Sequence, residues 1–398
     1  MAEVYREIKP SIRTLMGPGP SNVDPRVLKA MTMPLLGYLD PDFLGIMDKT
    51  MDMLRHLFQT KNTLTIPVSG TGTAGMEAAI CNVIQEGDPV LVCVNGFFGQ
   101  RMTDMVQRCG GKLITVEADW GRIIPPEKVK AALEKERPKV VAIVHAETST
   151  GVLQPLEEIG QMVREHDALF LVDAVTSLAG APVKVDEWGI DICYSGTQKC
   201  LGCPPGLSPI TFSDRAMEIV RNRRSKVQVW YLDMSMIERY WGPERVYHHT
   251  APVSMTYALH EALRLAHEEG LEKRFQRHST NASAMAAGLQ AMGLKLLAQE
   301  GYRAPMLTTV GIPDGIVDAD VRKKLLNDYS IEIGGGLGDF KGKAWRVGLM
   351  GFSSTKRFSS TKRNVLFLLS ALENILAEEG YSVKRGAGVA AANQVFEA

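Results

Sequence analysis

Lys199 closes the run Tyr194-Ser195-Gly196-Thr197-Gln198-Lys199, and Cys-Leu-Gly-Cys-Pro-Pro-Gly follows it. Small and hydroxylated neighbours of this kind are poor surroundings for a merely solvating cation. A lysine amine whose pKa is lowered by desolvation can form a Schiff base with an aldehyde. Asp173 ends the apolar run ALFLVD, which predicts a carboxylate at the C-terminal edge of a parallel sheet, where α/β proteins bind ligands.

Gly70-Thr71-Gly72-Thr73-Ala74-Gly75 follows the predicted strand LTIPVS and opens a helix. Read literally it is GxGxxG, the pattern of a dinucleotide site. That site requires an acidic residue about 20 positions on, at the end of the second strand. The next strand, PVLVCVN, ends at Asn95 without a carboxylate. What survives is local physics: small residues before a helix N-terminus expose N–H groups to a phosphate, and the hydroxyls of Thr71 and Thr73 add donors. Phe98, in Asn95-Gly96-Phe97-Phe98-Gly99, lies just past that strand and can offer an aromatic face. Phosphate cup, aromatic face, carboxylate and lysine occur in the order that pyridoxal phosphate chemistry needs. The carboxylate keeps the ring nitrogen protonated so that the cofactor acts as an electron sink.

The elements that must position these groups are legible as alternating patterns. LTIPVS, PVLVCVN, KLITVEA, KVVAIVHAE and ALFLVDAV read as short two-sided apolar strands, separated by helical segments such as AGMEAAICNVI and PEKVKAALEKE. This is the signature of an α/β domain with a mainly parallel sheet. Residues 1–22 read as an irregular N-terminal arm, 23–275 as a large domain, and 276–398 as a smaller α+β domain. In that region one long helical pattern, SMTYALHEALRLAHEEGLEKRFQRHSTNASAMAAGLQAMG, leads into the strand AWRVGLMG and a last helix, NVLFLLSALENILAEEG.

Composition narrows the partners. Lys and Arg total 45 and so do Asp and Glu, leaving no net charge to attract nucleic acid or an anionic membrane. No apolar run approaches the ~20 residues that span a bilayer, and no leader pattern opens the sequence. Six cysteines in 398 residues are too few for a disulfide scaffold, so a reduced, cytoplasmic protein is expected. The only CxxC, Cys200 to Cys203, has no second ligand pair, and no metal is expected. His248 and His249, adjacent on an extended segment, should point to opposite sides.

Seven motifs in order carry a resemblance that runs almost end to end. They are Gly17-Pro18-Gly19-Pro20, Ser69-Gly-Thr-Gly72, Glu147-Thr-Ser-Thr-Gly151, Asp173-Ala-Val, Ser195-Gly-Thr-Gln-Lys199, Tyr247-His-His-Thr250 and Arg346-Val-Gly. The sequence resembles class V, fold-type I pyridoxal phosphate enzymes of the alanine–glyoxylate and serine–glyoxylate (serine–pyruvate) aminotransferase family. That resemblance implies a large domain with a mainly parallel seven-stranded sheet and a homodimer with shared active sites. It further implies that Lys199 holds the cofactor and Asp173 pairs with its ring nitrogen. Thr71, Gly72, Thr73 and Gln198 would bind phosphate, Thr148 would approach the ring hydroxyl, and Phe98 would stack on the ring. Tyr247 and Thr250 would reach the neighbouring subunit's cofactor. Arg346 would take the substrate carboxylate as a bidentate fork, with Gly19 and Tyr38 beside the substrate.

Within this chemistry the sequence discriminates further. Class V desulfurases use a cysteine late in the chain, and none follows Cys203. Ureidoglycine–glyoxylate aminotransferases of purine degradation share the stretch Asp186-Glu-Trp-Gly-Ile-Asp191, but Gln at position 38 and Asn at position 247 are expected there. The phenols of Tyr38 and Tyr247 suit a smaller donor, alanine or serine. Phe-Ser-Ser-Thr-Lys-Arg at 352–357 is repeated letter for letter at 358–363, a duplication without a packing rationale and close to Arg346.

Overall fold

The alternation of apolar strands and amphipathic helices folds as a layered α/β structure. The computed structural model describes residues 7–354 and 361–398. Its central sheet has seven strands in the order Leu64–Ser69, Leu207–Phe212, Ile192–Tyr194, Leu169–Asp173, Val140–Val144, Pro89–Val94, Lys112–Glu117. Leu207–Phe212 runs antiparallel to both of its neighbours, and the pairings from Ile192–Tyr194 onward are all parallel. The apolar pattern does not single out Leu207–Phe212, because LSPITF interrupts its apolar residues with Ser, Pro and Thr. Residues 195–206, which carry Lys199, therefore turn back at one edge of the sheet without a helical crossover.

One hydrophobic cluster covers each face of this sheet. Phe43, Met47, Ile66, Met76 and Val92 belong to the first, and Leu91, Val141, Ile159, Phe170 and Leu263 to the second. Successive strand residues thus feed opposite clusters, as a sheet covered on both sides requires. A third cluster gathers Met285, Leu289, Trp345, Leu369 and Leu372. It lies around the strands Leu307–Gly311 and Ala344–Gly348 and the helices Leu271–Ala291 and Thr361–Glu378.

Several elements differ from the sequence expectation. The long helical pattern is broken at Gly270, whose φ of 82° ends Val253–Glu269 and starts Leu271–Ala291. The boundary expected at 275/276 falls inside the second of these helices. The N-terminal arm is not wholly irregular, since Thr14–Leu15 pairs parallel with Ile331–Glu332. NVLFLLSALENILAEEG is not the last helix either: Ala387–Glu397 follows it. Buried Glu373 holds that helix by accepting from Gly386 N at 2.8 Å and Gly388 N at 2.6 Å, a carboxylate at a helix N-terminus. The hexamer repeat centres on 355–360, which lie outside the described residues.

The break at Gly270 lets Glu269 serve two arginines of the next helix. It pairs with Arg274 at 2.8 Å and Arg277 at 2.5 Å. Arg274 donates to the carbonyls of Ala179 and Cys200, and Arg277 to those of Gly351 and Ser354. One carboxylate thereby clamps the chain just after Lys199 and the turn that follows the Arg346 strand. Among the described residues no helix is long and apolar enough to cross a membrane.

Candidate active site

Lys199 is 9 % exposed, and its Nζ donates to the Pro18 carbonyl. Burial, and next the Arg346 charge, lower its pKa to about 8. Gly19 has a φ of +107°, and a Cβ there would stand 2.5 Å from Lys199 Nζ. Only glycine leaves the amine room at this point. The N-terminal Gly-Pro-Gly-Pro segment is thus a wall of the lysine site, further tied to it by Ser21 N donating to the Gln198 carbonyl at 2.9 Å.

Asp173 sits at the end of its strand, 3 % exposed. Val175 N donates to Oδ1 and the Tyr194 hydroxyl to Oδ2, both at 2.8 Å. Burial nevertheless pushes its carboxyl up to about 6. Tyr194 was visible in sequence only as a letter before the lysine run. Its role depends on register, which sets Tyr194 beside Asp173 across the parallel pair.

Thr71 is the N-cap of the helix Gly72–Val83, and its side chain makes no capping bond. A Cβ on buried Gly72 would meet Val175 at 3.1 Å, with Gly196 also close. The helix N-terminus therefore abuts both the Asp173 turn and the lysine loop. Gln198 points its Oε1 into this region, buried and without a hydrogen-bond partner. An orphaned amide beside a helix N-terminus is a place that lacks a polar partner. Rotated by 180°, the same amide presents its NH2 donors to an anion.

Phe98 lies in the first turn of the helix Phe97–Arg108. Buried Glu147 caps that turn, accepting from Phe98 N at 3.1 Å and Gly99 N at 3.2 Å. The same carboxylate accepts from Ser149 N at 3.1 Å and Ser149 Oγ at 2.6 Å. Burial raises its pKa despite these bonds. Glu147 so joins the aromatic turn to the loop of Thr148, whose Oγ1 lies 2.5 Å from Thr176 Oγ1. In sequence it was only one letter of a motif.

Arg346 is 7 % exposed on the strand Ala344–Gly348. Its Nε donates to Gly335 O at 2.8 Å and its Nη1 to Thr148 O at 3.2 Å. Both partners are neutral carbonyls, and burial lowers its pKa to about 10. A buried guanidinium held by carbonyls is preorganised for a carboxylate.

Tyr38, Tyr247 and Thr250 form a separate group. The two phenol rings lie 6.2 Å apart, and Tyr247 Oη is 3.4 Å from Thr250 Oγ1. Tyr247 is 53 % exposed, and among the described residues no hydrogen bond or ring contact joins it to Lys199. Next to it, the expectation for His248 and His249 fails: their Nδ1 atoms are 2.8 Å apart and the rings meet edge to face. The chain bends at His249, so alternation along an extended chain does not apply. His249 Nε2 also reaches Ser69 Oγ at 2.8 Å, tying this group to the start of the Gly70–Gly75 loop. Among the described residues no three His, Cys, Asp or Glu side chains could hold a metal ion. All six cysteines are free.

A buried lysine of lowered pKa, an opposed buried carboxylate and a helix N-terminus with an orphaned amide fit the aldehyde, ring nitrogen and phosphate of pyridoxal phosphate. Residues 15–341 match the family Aminotransferase class-V. The chain is 43 % identical to the (S)-ureidoglycine–glyoxylate transaminase of Bacillus subtilis, over 98 % of this chain and 97 % of that one. The crystal structure of ureidoglycine–glyoxylate aminotransferase from Bacillus subtilis superposes with a TM-score of 0.96 at 45 % identity, covering 99 % of this chain and 100 % of that one. Alanine–glyoxylate aminotransferase from Nostoc sp. gives 0.91 at 50 % identity, covering 94 % and 98 %. With lysine, carboxylate and a helix N-terminus converging at one sheet edge in a fold shared along nearly its whole length, the chain belongs to the class-V aminotransferases, enzymes that work with pyridoxal phosphate.

Proposed function

We propose that the protein moves the amino group of a small amino acid, alanine or serine, to glyoxylate or pyruvate, as a homodimer in a reducing, cytoplasmic setting. Pyridoxal 5′-phosphate supplies the electron sink that lets a proton leave the substrate Cα. Lys199 holds the cofactor aldehyde at rest. Its amine would carry the proton that leaves the substrate Cα, a task for which a pKa near 8 is matched to neutral pH. Asp173 keeps the ring nitrogen protonated, Phe98 stacks on the ring, and Thr148 meets the ring hydroxyl. Thr71, Gly72, Thr73 and Gln198 take the phosphate. Tyr247 and Thr250, exposed in one chain, serve the cofactor of the second subunit. Arg346 grips the α-carboxylate, with Gly19 and Tyr38 beside the substrate.

The observation that carries this reading is the burial of Lys199 against Gly19 with Arg346 near enough to depress its pKa. An amine and a carboxylate receptor close to each other are what every amino and keto acid requires. The phenols of Tyr38 and Tyr247, 6.2 Å apart, favour a small donor. The near full-length similarity to the Bacillus subtilis transaminase supports ureidoglycine as a second donor reading. Purified protein should be yellow, bleach with the true donor and recover with glyoxylate. Alanine, serine and ureidoglycine run side by side decide between the readings; a protein inert to all three refutes both. Lys199→Ala should abolish turnover.

A further inference from the structure

Arg101 has no part in the proposed reaction, yet it touches two groups that do. It stands one turn beyond Phe98 in the helix Phe97–Arg108. Its guanidinium carbon lies 4.8 Å from the centre of the Phe98 ring and 5.3 Å from that of Phe97. The two rings meet edge to face at 5.7 Å, so the cation packs against an aromatic pair. Its Nη1 donates to Thr73 Oγ1 at 3.1 Å, and its charge reaches Asp173. Its partners here are the two rings and the Thr73 hydroxyl, none of them anionic. A half-buried arginine lying between an aromatic ring and a cradle hydroxyl calls for an explanation.

We propose that Arg101 is a positioning residue for pyridoxal phosphate: it backs one face of Phe98 and fixes Thr73, so that ring platform and phosphate cradle act as one unit. The inference rests on the cofactor assignments made above. A planar guanidinium stacks on one face of an aromatic ring and leaves the other face free, while its remaining donors reach sideways. Phe98 sits at the start of a helix, where its ring would otherwise turn among rotamers. Thr73 sits in the first turn of the neighbouring helix and is exposed. Arg101 links the two through one side chain, and its positive charge lies beside the place proposed for a dianion.

The test is equilibrium binding. Cofactor is stripped from the purified holoenzyme, and pyridoxal phosphate is titrated back while absorbance and tryptophan fluorescence are followed. R101M should raise Kd about tenfold, and R101K, which keeps the charge but loses the planar face, about threefold. In an F98L/T73V background R101M should change Kd by less than about twofold, because its partners are gone. The melting temperature of the cofactor-free protein should stay near that of the parent, separating positioning from folding. Wild-type affinity in R101M, or an undiminished R101M effect in the F98L/T73V background, overturns the proposal. If R101M does not fold, R101K decides: binding as tight as wild type overturns it. A wild-type protein that takes up no cofactor would instead refute the cofactor assignments themselves.

Discussion

Asp173 and Tyr194 face each other in register across two parallel strands, and the tyrosine hydroxyl donates to the carboxylate at 2.8 Å. This bond and the one from Val175 N both oppose the upward push of burial on Asp173. Tyr194→Phe removes one of them. The pH below which the cofactor-free protein loses affinity for pyridoxal phosphate should rise by about half a unit to one unit. Kd measured from pH 5 to 8 checks this, and an unmoved acid limb would show that Tyr194 does not tune Asp173.

Asp173 itself should cost stability. Its carboxyl is raised from 3.8 to about 6, so between these values the folded state binds the proton more tightly than the unfolded one. Stability therefore falls as pH rises through that window, and the penalty is complete above it, about 3 kcal/mol. Cofactor-free Asp173→Asn should unfold at the same or a higher temperature at pH 8, with the gain vanishing towards pH 4, while activity is lost. A clearly lower melting temperature at pH 8 contradicts this account.

Arg346→Ala should act on the substrate end. KM for the amino donor and for the keto acid should both rise at least tenfold, roughly the loss of a charge-assisted pair, with a smaller fall in kcat. Cofactor uptake should persist. Steady-state kinetics with both substrates decide it, and an unchanged KM removes Arg346 from the carboxylate role.

Gly19→Ala tests the wall of the lysine site. The added methyl meets Lys199 Nζ at 2.5 Å, on a backbone with φ +107° that alanine adopts only with strain of ~1–2 kcal/mol. Cofactor affinity should drop more than about tenfold. Unimpaired uptake would mean that Lys199 does not need the space Gly19 leaves.

Asp173 stands out in the sequence because it ends an apolar run, and Lys199 because it closes a run of small and hydroxylated residues, whereas Arg346 is singled out only by the family resemblance. Tyr194 and Glu147 do not stand out, since their partners are set by strand register and by a helix start 49 residues away in the chain. The break at Gly270 is hidden in the sequence, because a lone glycine in a helical pattern does not announce a positive φ. The strand Leu207–Phe212 hid behind its proline and hydroxyls. Alternation separates neighbours only along extended chain, and the bend at His249 brings its ring against that of His248.

The antiparallel return of Leu207–Phe212 has a consequence for the order of assembly. The lysine loop is closed by two strands that pair with each other, a short closure of small entropic cost. The other walls of the site come from far along the chain: Lys199 meets Pro18 across 181 residues, and Arg346 meets Thr148 across 198. Contacts of such separation form more slowly than a local strand pair. On refolding, the strand pair that flanks the lysine should gain protection from hydrogen exchange before cofactor absorbance returns.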